Sequence, residues 1–169
     1  MRGELRALTV RPWWGHSIAW LGKRIENRSR PIPPALIGQQ VAIHAGAWGR
    51  PEDWLDQVDK ASPWSREQRR ERHGSFVPVH KGSIIRKQRA SKRVIQERCI
   101  VAIATLSGHA INDSWSLPDW ADPDALHWWV LEDVQRLVYP VHVERGQLGL
   151  WRLDVADAIA VMDALTVPA

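Results

Sequence analysis

Hydrophobic and polar positions along the chain predict short strands with helices between and beside them. Strand-like residues occur at Leu5–Val10, a buried-looking strand at Gln40–Ala45, and a continuous apolar run of strand length at Cys99–Leu106. Runs of this kind, without helical spacing, are typical of buried strands. After the first run, Pro12 is expected to begin a helix, because Trp14, Ile18 and Leu21 follow at i, i+4 and i+7 and share one face.

The remaining elements are shorter and more mixed. Further strands are predicted at Arg24–Arg28, Arg136–Val143 and Gly149–Leu153, and helices at Ala125–Glu132 and Val155–Leu165. Pro140 confines its strand to an edge or a bulge, and Asp154 is expected to cap the last helix. Because few helices could cross between parallel strands, the order favours an α+β fold: a small mixed β-barrel of five or six strands with flanking helices.

Residues 49–98 separate two predicted core strands and differ from them in composition. They contain two weaker helical patterns, Pro51–Lys60 and Ser65–His73, and end in a basic stretch. The chain has 169 residues, which suits one domain. We therefore interpret 49–98 as a basic, partly helical insertion within a single domain that spans 1–169.

Basic residues are concentrated in this insertion. The net charge of the chain is +4, but 66–98 contains eleven basic and three acidic residues. Such a block is typical of a segment that binds polyanions, although a solvated loop has the same composition. The side chains expected to contact backbone phosphates are Arg86, Lys87, Arg89, Lys92 and Arg93.

Several classes of protein are disfavoured by what the sequence lacks. The one cysteine, Cys99, precludes an intrachain disulfide and a cysteine-rich zinc site. There is no glycine-rich phosphate loop, nucleophile elbow or histidine pair at metal spacing, so we expect no metal and no cofactor. No signal peptide and no run of about 18 apolar residues is present. We expect a cytoplasmic protein without a membrane partner; the sequence does not indicate its oligomeric state.

A cluster of charged residues lies at the predicted junction between the first helix and the next strand. Lys23, Glu26 and Arg28 have the spacing Lys-x-x-Glu-x-Arg. Together with the strand-like residues before it and the apolar run after it, this segment resembles the ASCH domain of the PUA-like superfamily, whose pattern is Gly-x-Lys-x-x-Glu-x-Arg. Leu21 stands at the glycine position of that pattern, and Gly22 follows it.

The resemblance implies a five- or six-stranded barrel with a cleft beside the first helix, and it places the charged cluster in that cleft. It covers about 1–48 and 99–153 and leaves out the insertion. Members of the family are thought to bind RNA or other nucleic acid, so RNA is favoured over DNA as the partner. Some small bacterial relatives look like hydrolases of acetylated cytidine, and others have been proposed to cut RNA.

The chemistry of the charged cluster allows both binding and catalysis. Arg28 can bind a phosphate or a guanine edge through two parallel hydrogen bonds. Lys23 is a point charge for phosphate or, if desolvated, a base or nucleophile. Glu26 can accept hydrogen bonds from a base amino group or transfer protons. A structural ion pair that joins the helix to the strand is the third interpretation.

Aromatic residues and one histidine complete the predicted cleft. Because Trp13 and Trp14 are adjacent, we assign Trp14 to the core and Trp13 to the cleft wall. Trp128 is, by the same reasoning, a candidate for stacking on a base. His44 ends a strand near the cluster and is either structural or a ligand contact. The leading hypothesis is a nucleic-acid-binding module. The alternatives are a hydrolase of a modified nucleoside or RNA with Lys23 and Glu26 as catalytic pair, and a protein-interaction domain.

Overall fold

The computed structural model describes residues 4–47, 76–78, 93–95, 97–110, 118–143 and 145–165. The strands in these ranges are β1 (Arg6–Val10), β2 (Ile25–Arg28), β3 (Gln40–Ala45), β4 (Phe76–Pro78), β5 (Arg93–Ile95), β6 (Cys99–His109), β7 (His127–His142) and β8 (Leu150–Arg152). The helices are α1 (Pro12–Trp20), α2 (Val155–Asp163) and a 3₁₀ turn at Pro34–Leu36. The predicted first helix, last helix and three apolar strands are confirmed to within a few residues.

Six of the described strands form one curled sheet in the order β2-β7-β6-β3-β1-β8. Within it β1 and β3 run parallel, with Arg6 opposite Val41 and Val10 opposite Ala45. The other neighbouring strands are antiparallel. The separate pair β4 and β5 is parallel. The large sheet is half of a barrel with two helices beside it, which confirms the predicted α+β class.

The middle strands are buried on both faces because a helix lies over each face. In β3, Val41 and Ile43 belong to the core cluster that contains Ile18 of α1. Ala42, between them, belongs to the cluster that contains Val161 of α2. Successive side chains of a strand point to opposite faces. The continuous apolar run of β3 therefore supplies both layers of the core.

Helix α1 packs closely on the sheet and then turns sharply into β2. A Cβ atom on Gly15 would lie 3.2 Å from the Cβ atom of Ala45. The chain leaves the helix through Gly22, whose φ of 72° lies in the left-handed region that glycine adopts without strain. The N–H of Lys23 then donates to the carbonyl of Ser17 at 3.1 Å. This turn places the charged cluster directly beside the helix.

Strand β7 corrects the prediction for the segment around the Trp-Trp pair. The predicted helix Ala125–Glu132 is wrong, because β7 begins at His127 and continues to His142. Its first residues pair with β2, with Arg28 opposite His127 and Ile25 opposite Val130. These non-local hydrogen bonds override the weak local helical pattern, since strand propensity depends on context more than helix propensity does.

The predictions for Pro140 and Asp154 are confirmed. The register of β7 against β6 passes from Val141 opposite Ile100 to Arg136 opposite Ala102, so a bulge of β7 contains Pro140. A bulge tolerates proline, because proline has no N–H group to donate to the neighbouring strand. Asp154 caps α2, because its Oδ1 accepts a hydrogen bond from the N–H of Asp157 at 2.7 Å.

Most of the predicted insertion lies outside the described residues. The helices predicted at Pro51–Lys60 and Ser65–His73 fall entirely there, and of the rest β4 and β5 are described at the level of the backbone. The boundaries of the insertion therefore stay a prediction. Neither of the described α-helices is long and apolar enough to span a lipid bilayer.

Candidate nucleic-acid interface

The charged cluster is held together by two ion pairs that share one carboxylate. Nζ of Lys23 lies 3.5 Å from Oε2 of Glu26, and Nε of Arg28 lies 3.4 Å from Oε1. Glu26 and Arg28 are two residues apart on β2 and therefore share a face. Lys23 joins them from the turn that precedes the strand. The carboxylate of Glu26 is thus fixed between two cations.

Lys23 is buried at the centre of this cluster. Its side chain is 1% exposed, it donates a hydrogen bond to the carbonyl of Ile25, and its Nζ lies 5.2 Å from the centre of the Trp14 ring. Burial lowers the pKa of Lys23, Glu26 opposes this shift by stabilising the ammonium, and Arg28 adds a smaller lowering effect. A side chain with almost no accessible surface is poorly placed to anchor a phosphate.

Arg28 has a different environment, because part of its side chain reaches solvent. Its Nη2 donates to the carbonyl of Thr9 at 2.7 Å, which joins β2 to β1. Its guanidinium carbon lies 5.6 Å from the centre of the Trp129 ring. The side chain remains 22% exposed. Of the three charged residues, Arg28 is therefore the one best placed to meet a ligand.

A second polar group lies on the other side of Thr9. Nε1 of Trp151 donates to Oγ1 of Thr9 at 2.9 Å, and this oxygen lies 3.1 Å from Nδ1 of His44. An indole N–H only donates, so the hydroxyl proton of Thr9 is available to His44. Burial lowers the pKa of His44, with a smaller opposing contribution from the backbone of Val143. A neutral imidazole that accepts at Nδ1 fits this geometry.

The chain after β7 packs directly against this histidine. A Cβ atom on Gly146 would overlap the imidazole ring of His44. The segment 145–148 therefore approaches the ring as closely as it does because residue 146 has no side chain. Residues 145–148 line the same cavity as the charged cluster.

The charged cluster and the Thr9–His44 pair line a single cleft of about 1440 Å³. Lys23, Glu26 and Arg28 form its base, and Trp14 lines one side. Asp122 also lines the cleft, and its N–H donates to Oδ1 of Asn27 at 3.0 Å. Small-molecule pockets usually measure about 300–1,000 Å³, so this cleft has room for more than one nucleoside.

The roles predicted for three tryptophans need correction. Trp13 is 5% exposed and belongs to a core cluster, whereas Trp14 is half-buried and lines the cleft, so the predicted assignment is reversed. Helical spacing places both residues near the protein interior, and only the packing of α1 decides which one the cleft exposes. Trp128 is 4% exposed in the same cluster as Trp13, and its Nε1 donates to the carbonyl of Asp122. Neither Trp13 nor Trp128 is available for stacking.

The other predicted binding residues divide into one that the structure places and five that it does not. His44 lines the cleft although it is 2% exposed. Arg86, Lys87, Arg89 and Lys92 lie outside the described residues, and Arg93 is described only as a backbone position of β5. Among the described residues, no group of three or more His, Cys, Asp or Glu side chains could hold a metal ion.

The arrangement of strands and helices recurs in a protein of known structure. The crystal structure of ASCH from Zymomonas mobilis matches with a TM-score of 0.53 and 13% sequence identity, over 96% of this chain and 96% of that chain. The fold is that of an ASCH domain. A mutant form of the Zymomonas mobilis protein matches with a TM-score of 0.48 and 14% identity, over 96% of this chain and 97% of that chain. No protein-family model matches the chain, and no curated protein does. The predicted ASCH resemblance is confirmed for the fold.

Sequence reasoning missed several residues of the cleft in this ASCH fold. Thr9 lies between the buried apolar residues Leu8 and Val10 of β1, which is a usable signal for a polar side chain at a site. Asn27 lies inside the motif, and its side chain also donates to the carbonyl of Trp120 at 3.0 Å. Trp151 and Gly146 come from the far end of the sequence, and nothing local indicates that they meet Thr9 and His44.

Proposed function

We propose that this protein is a nucleic-acid-binding module whose cleft holds a segment of single-stranded RNA, with an unpaired base beside the charged cluster. The size of the cleft is the main support, because a volume of about 1440 Å³ exceeds what a free nucleoside needs. An ASCH-like fold is compatible with this function.

The side chains at the base of the cleft suit recognition of a base. Trp14 offers an aromatic surface, and stacking on such a surface contributes about 1–3 kcal/mol per base. Arg28 can donate two parallel hydrogen bonds to a guanine edge or a phosphate. Glu26 can accept from an exocyclic amino group, and Lys23 holds its carboxylate in place. In this proposal Lys23 positions Glu26 and does not itself bind phosphate.

Binding of fluorescently labelled single-stranded RNA and DNA tests the proposal. Trp14→Leu should weaken binding about tenfold, which corresponds to the loss of one stacked base. Trp20→Leu is the matched control: it removes an indole from the same helix, but Trp20 packs on His16 and does not line the cleft. Equal losses in both variants, or no binding by the unchanged protein, would contradict the proposal.

Hydrolysis of a modified nucleoside, such as an acetylated cytidine, is a second candidate because of one observation. Lys23 is buried, its pKa is lowered, and it contacts a carboxylate, which is an arrangement often found where a lysine acts as base or nucleophile. Incubation with modified nucleosides and RNAs, followed by mass spectrometry, separates retention from turnover. Product formed by the unchanged protein and lost in the double variant Lys23→Met with Glu26→Gln, which removes both buried charges together, would favour the hydrolase. Retention without product favours the binding module.

A further inference from the structure

Three arginines meet at one end of the cleft although they come from distant parts of the sequence. Arg11 follows β1, Arg98 precedes β6, and Arg145 follows β7, and all three line the cleft. β1 and β3 run parallel, β6 runs antiparallel to β3, and β7 runs antiparallel to β6. The end of β1, the start of β6 and the end of β7 therefore lie at the same edge of the sheet.

A chain of backbone hydrogen bonds connects these three positions. The N–H of Gly46 donates to the carbonyl of Val10 at 2.9 Å, and the N–H of Arg98 donates to the carbonyl of Gly46 at 3.2 Å. The N–H of Val143 then donates to the carbonyl of Arg98 at 2.8 Å. The backbone of Arg98 is thus bonded to Gly46 and to Val143. Gly46 in turn bonds to Val10, the residue before Arg11, and Val143 lies two residues before Arg145.

Arg98 has two unusual features. Its φ of 56° lies in the left-handed region, which a long side chain rarely adopts. Its Nε is buried and has no hydrogen-bond partner among the residues that the structure describes. Strained backbone of this kind persists where the surrounding structure enforces it, and it is concentrated at functional sites. Buried polar atoms are normally hydrogen-bonded, so this nitrogen is a donor for which the described residues supply no acceptor.

The charges of the cleft are also divided between its ends. The acidic residues that line it are Glu26, Asp122 and Asp124, and they lie with β2 or with the segment held by Asn27 of β2. Arg98 and Arg145 lie where β6 begins and β7 ends, whereas β2 pairs with the start of β7, and Glu97 is not among the lining residues. The side near β2 therefore carries both signs, since Lys23 and Arg28 pair with Glu26 there, whereas Arg98 and Arg145 leave the other side basic and suited to an anion.

We propose that Arg98 and Arg145, with Arg11 beside them, form the phosphate-binding end of the cleft, so that the ligand is a phosphodiester strand and not a free nucleoside. This inference rests on the proposed nucleic-acid function and adds which residues bind the backbone. Arginine suits the role because its planar guanidinium matches the geometry of phosphate oxygens and stays charged.

The test measures the salt dependence of RNA binding by fluorescence anisotropy. The probe is a labelled, mixed-sequence single-stranded RNA of about ten nucleotides, within the site size of single-strand-binding folds. The test variant is Arg98→Asn with Arg145→Gln, because asparagine tolerates the left-handed conformation. Each lost phosphate contact should reduce the slope of log affinity against log salt by about 0.7, and the double variant by about 1.4.

The control removes the same number of charges away from the cleft. Arg136 and Arg152 are exposed and do not line it, so Arg136→Gln with Arg152→Gln should leave the slope unchanged. Arg98→Lys should keep most of the slope, because it retains the charge. If Arg98→Lys loses as much slope as the single variant Arg98→Asn, measured beside it, the effect is structural and the inference is wrong.

Two further results would overturn the inference, and they can be told apart. RNA binding that depends on Trp14 but keeps its full slope in the double variant would refute the phosphate end alone. Absence of RNA and DNA binding by the unchanged protein would refute both this inference and the proposed function.

Discussion

Replacing Glu26 by glutamine removes the only negative charge of the central cluster and leaves the Lys23 ammonium buried beside Arg28. The Nζ of Lys23 lies 3.5 Å from the Glu26 carboxylate. At an effective dielectric constant of about 20, two unit charges at that distance attract each other by about 5 kcal/mol. Removal of one partner from a buried pair usually costs about 3–5 kcal/mol. We expect Glu26→Gln to lower the free energy of unfolding by about 4 kcal/mol.

The double variant Lys23→Met with Glu26→Gln supplies the control. It removes both buried charges, and a neutral pair of similar volume is often no less stable than the ion pair. We therefore expect the double variant to be more stable than Glu26→Gln alone. Urea unfolding followed by tryptophan fluorescence measures each free energy at pH 7.

The pH dependence gives an independent check on the same reasoning. Glu26 is the group that opposes the lowered pKa of Lys23, so in Glu26→Gln this pKa falls further below the ordinary value of 10.5. Between the two pKa values the unfolded chain binds more protons than the folded chain, so stability rises with pH. At pH 7 the free energy of unfolding of Glu26→Gln should be lower than that of the double variant. This difference should shrink as the pH rises to about 9.5.

Either of two results would refute this account of the cluster. A stability of Glu26→Gln within about 0.5 kcal/mol of the unchanged protein would mean that the ion pair is not coupled to folding. A deficit that is constant with pH would mean that Lys23 does not remain a buried, titrating ammonium.

Three further predictions concern tryptophan packing, the wall of the cleft and the single thiol. Trp13→Ala should lower the free energy of unfolding by about 3–5 kcal/mol, because its indole is buried. Trp14→Ala should lower this free energy less than half as much but weaken RNA binding. Equal losses of stability in thermal melts would contradict the assignment of Trp13 to the core and Trp14 to the cleft. Gly146→Ala should displace the 145–148 segment from His44 and weaken RNA binding several-fold, so unchanged affinity would exclude that segment from the site. Burial raises the pKa of Cys99 to about 12, so the folded protein should resist iodoacetamide at pH 8 and react once unfolded; rapid labelling of the folded protein would contradict the buried position.

The sequence predicted those elements whose hydrophobic pattern matches their burial in the structure. Strands β1, β3 and β6 are largely buried on both faces, so their sequences do not alternate between apolar and polar residues. Mainly apolar composition over the length of a strand was sufficient to identify them. The spacing of Glu26 and Arg28 likewise defined their common face. These features depend on neighbours in the sequence or on periodicity alone.

Features that depend on distant partners could not be predicted. The segment His127–Val130 forms a strand because it pairs with β2, a contact between residues about a hundred positions apart in a fold rich in non-local pairings. The choice between Trp13 and Trp14 depends on how α1 rests against the sheet. The meeting of Arg98 and Arg145 depends on the strand order, which hydrophobic patterning does not specify.

The direct pairing of Ala45 with Cys99 means that the chain leaves the sheet and returns to it at the same point. The two neighbouring antiparallel strands β3 and β6 are thus joined by a connection of about fifty residues and not by a short hairpin turn. Closing a loop of roughly fifty residues in place of a four-residue turn costs about 2 kcal/mol of chain entropy. The sheet is therefore open to modular exchange at this junction: a short turn that keeps Gly46, Ala47 and Arg98 should speed folding and preserve the strand order.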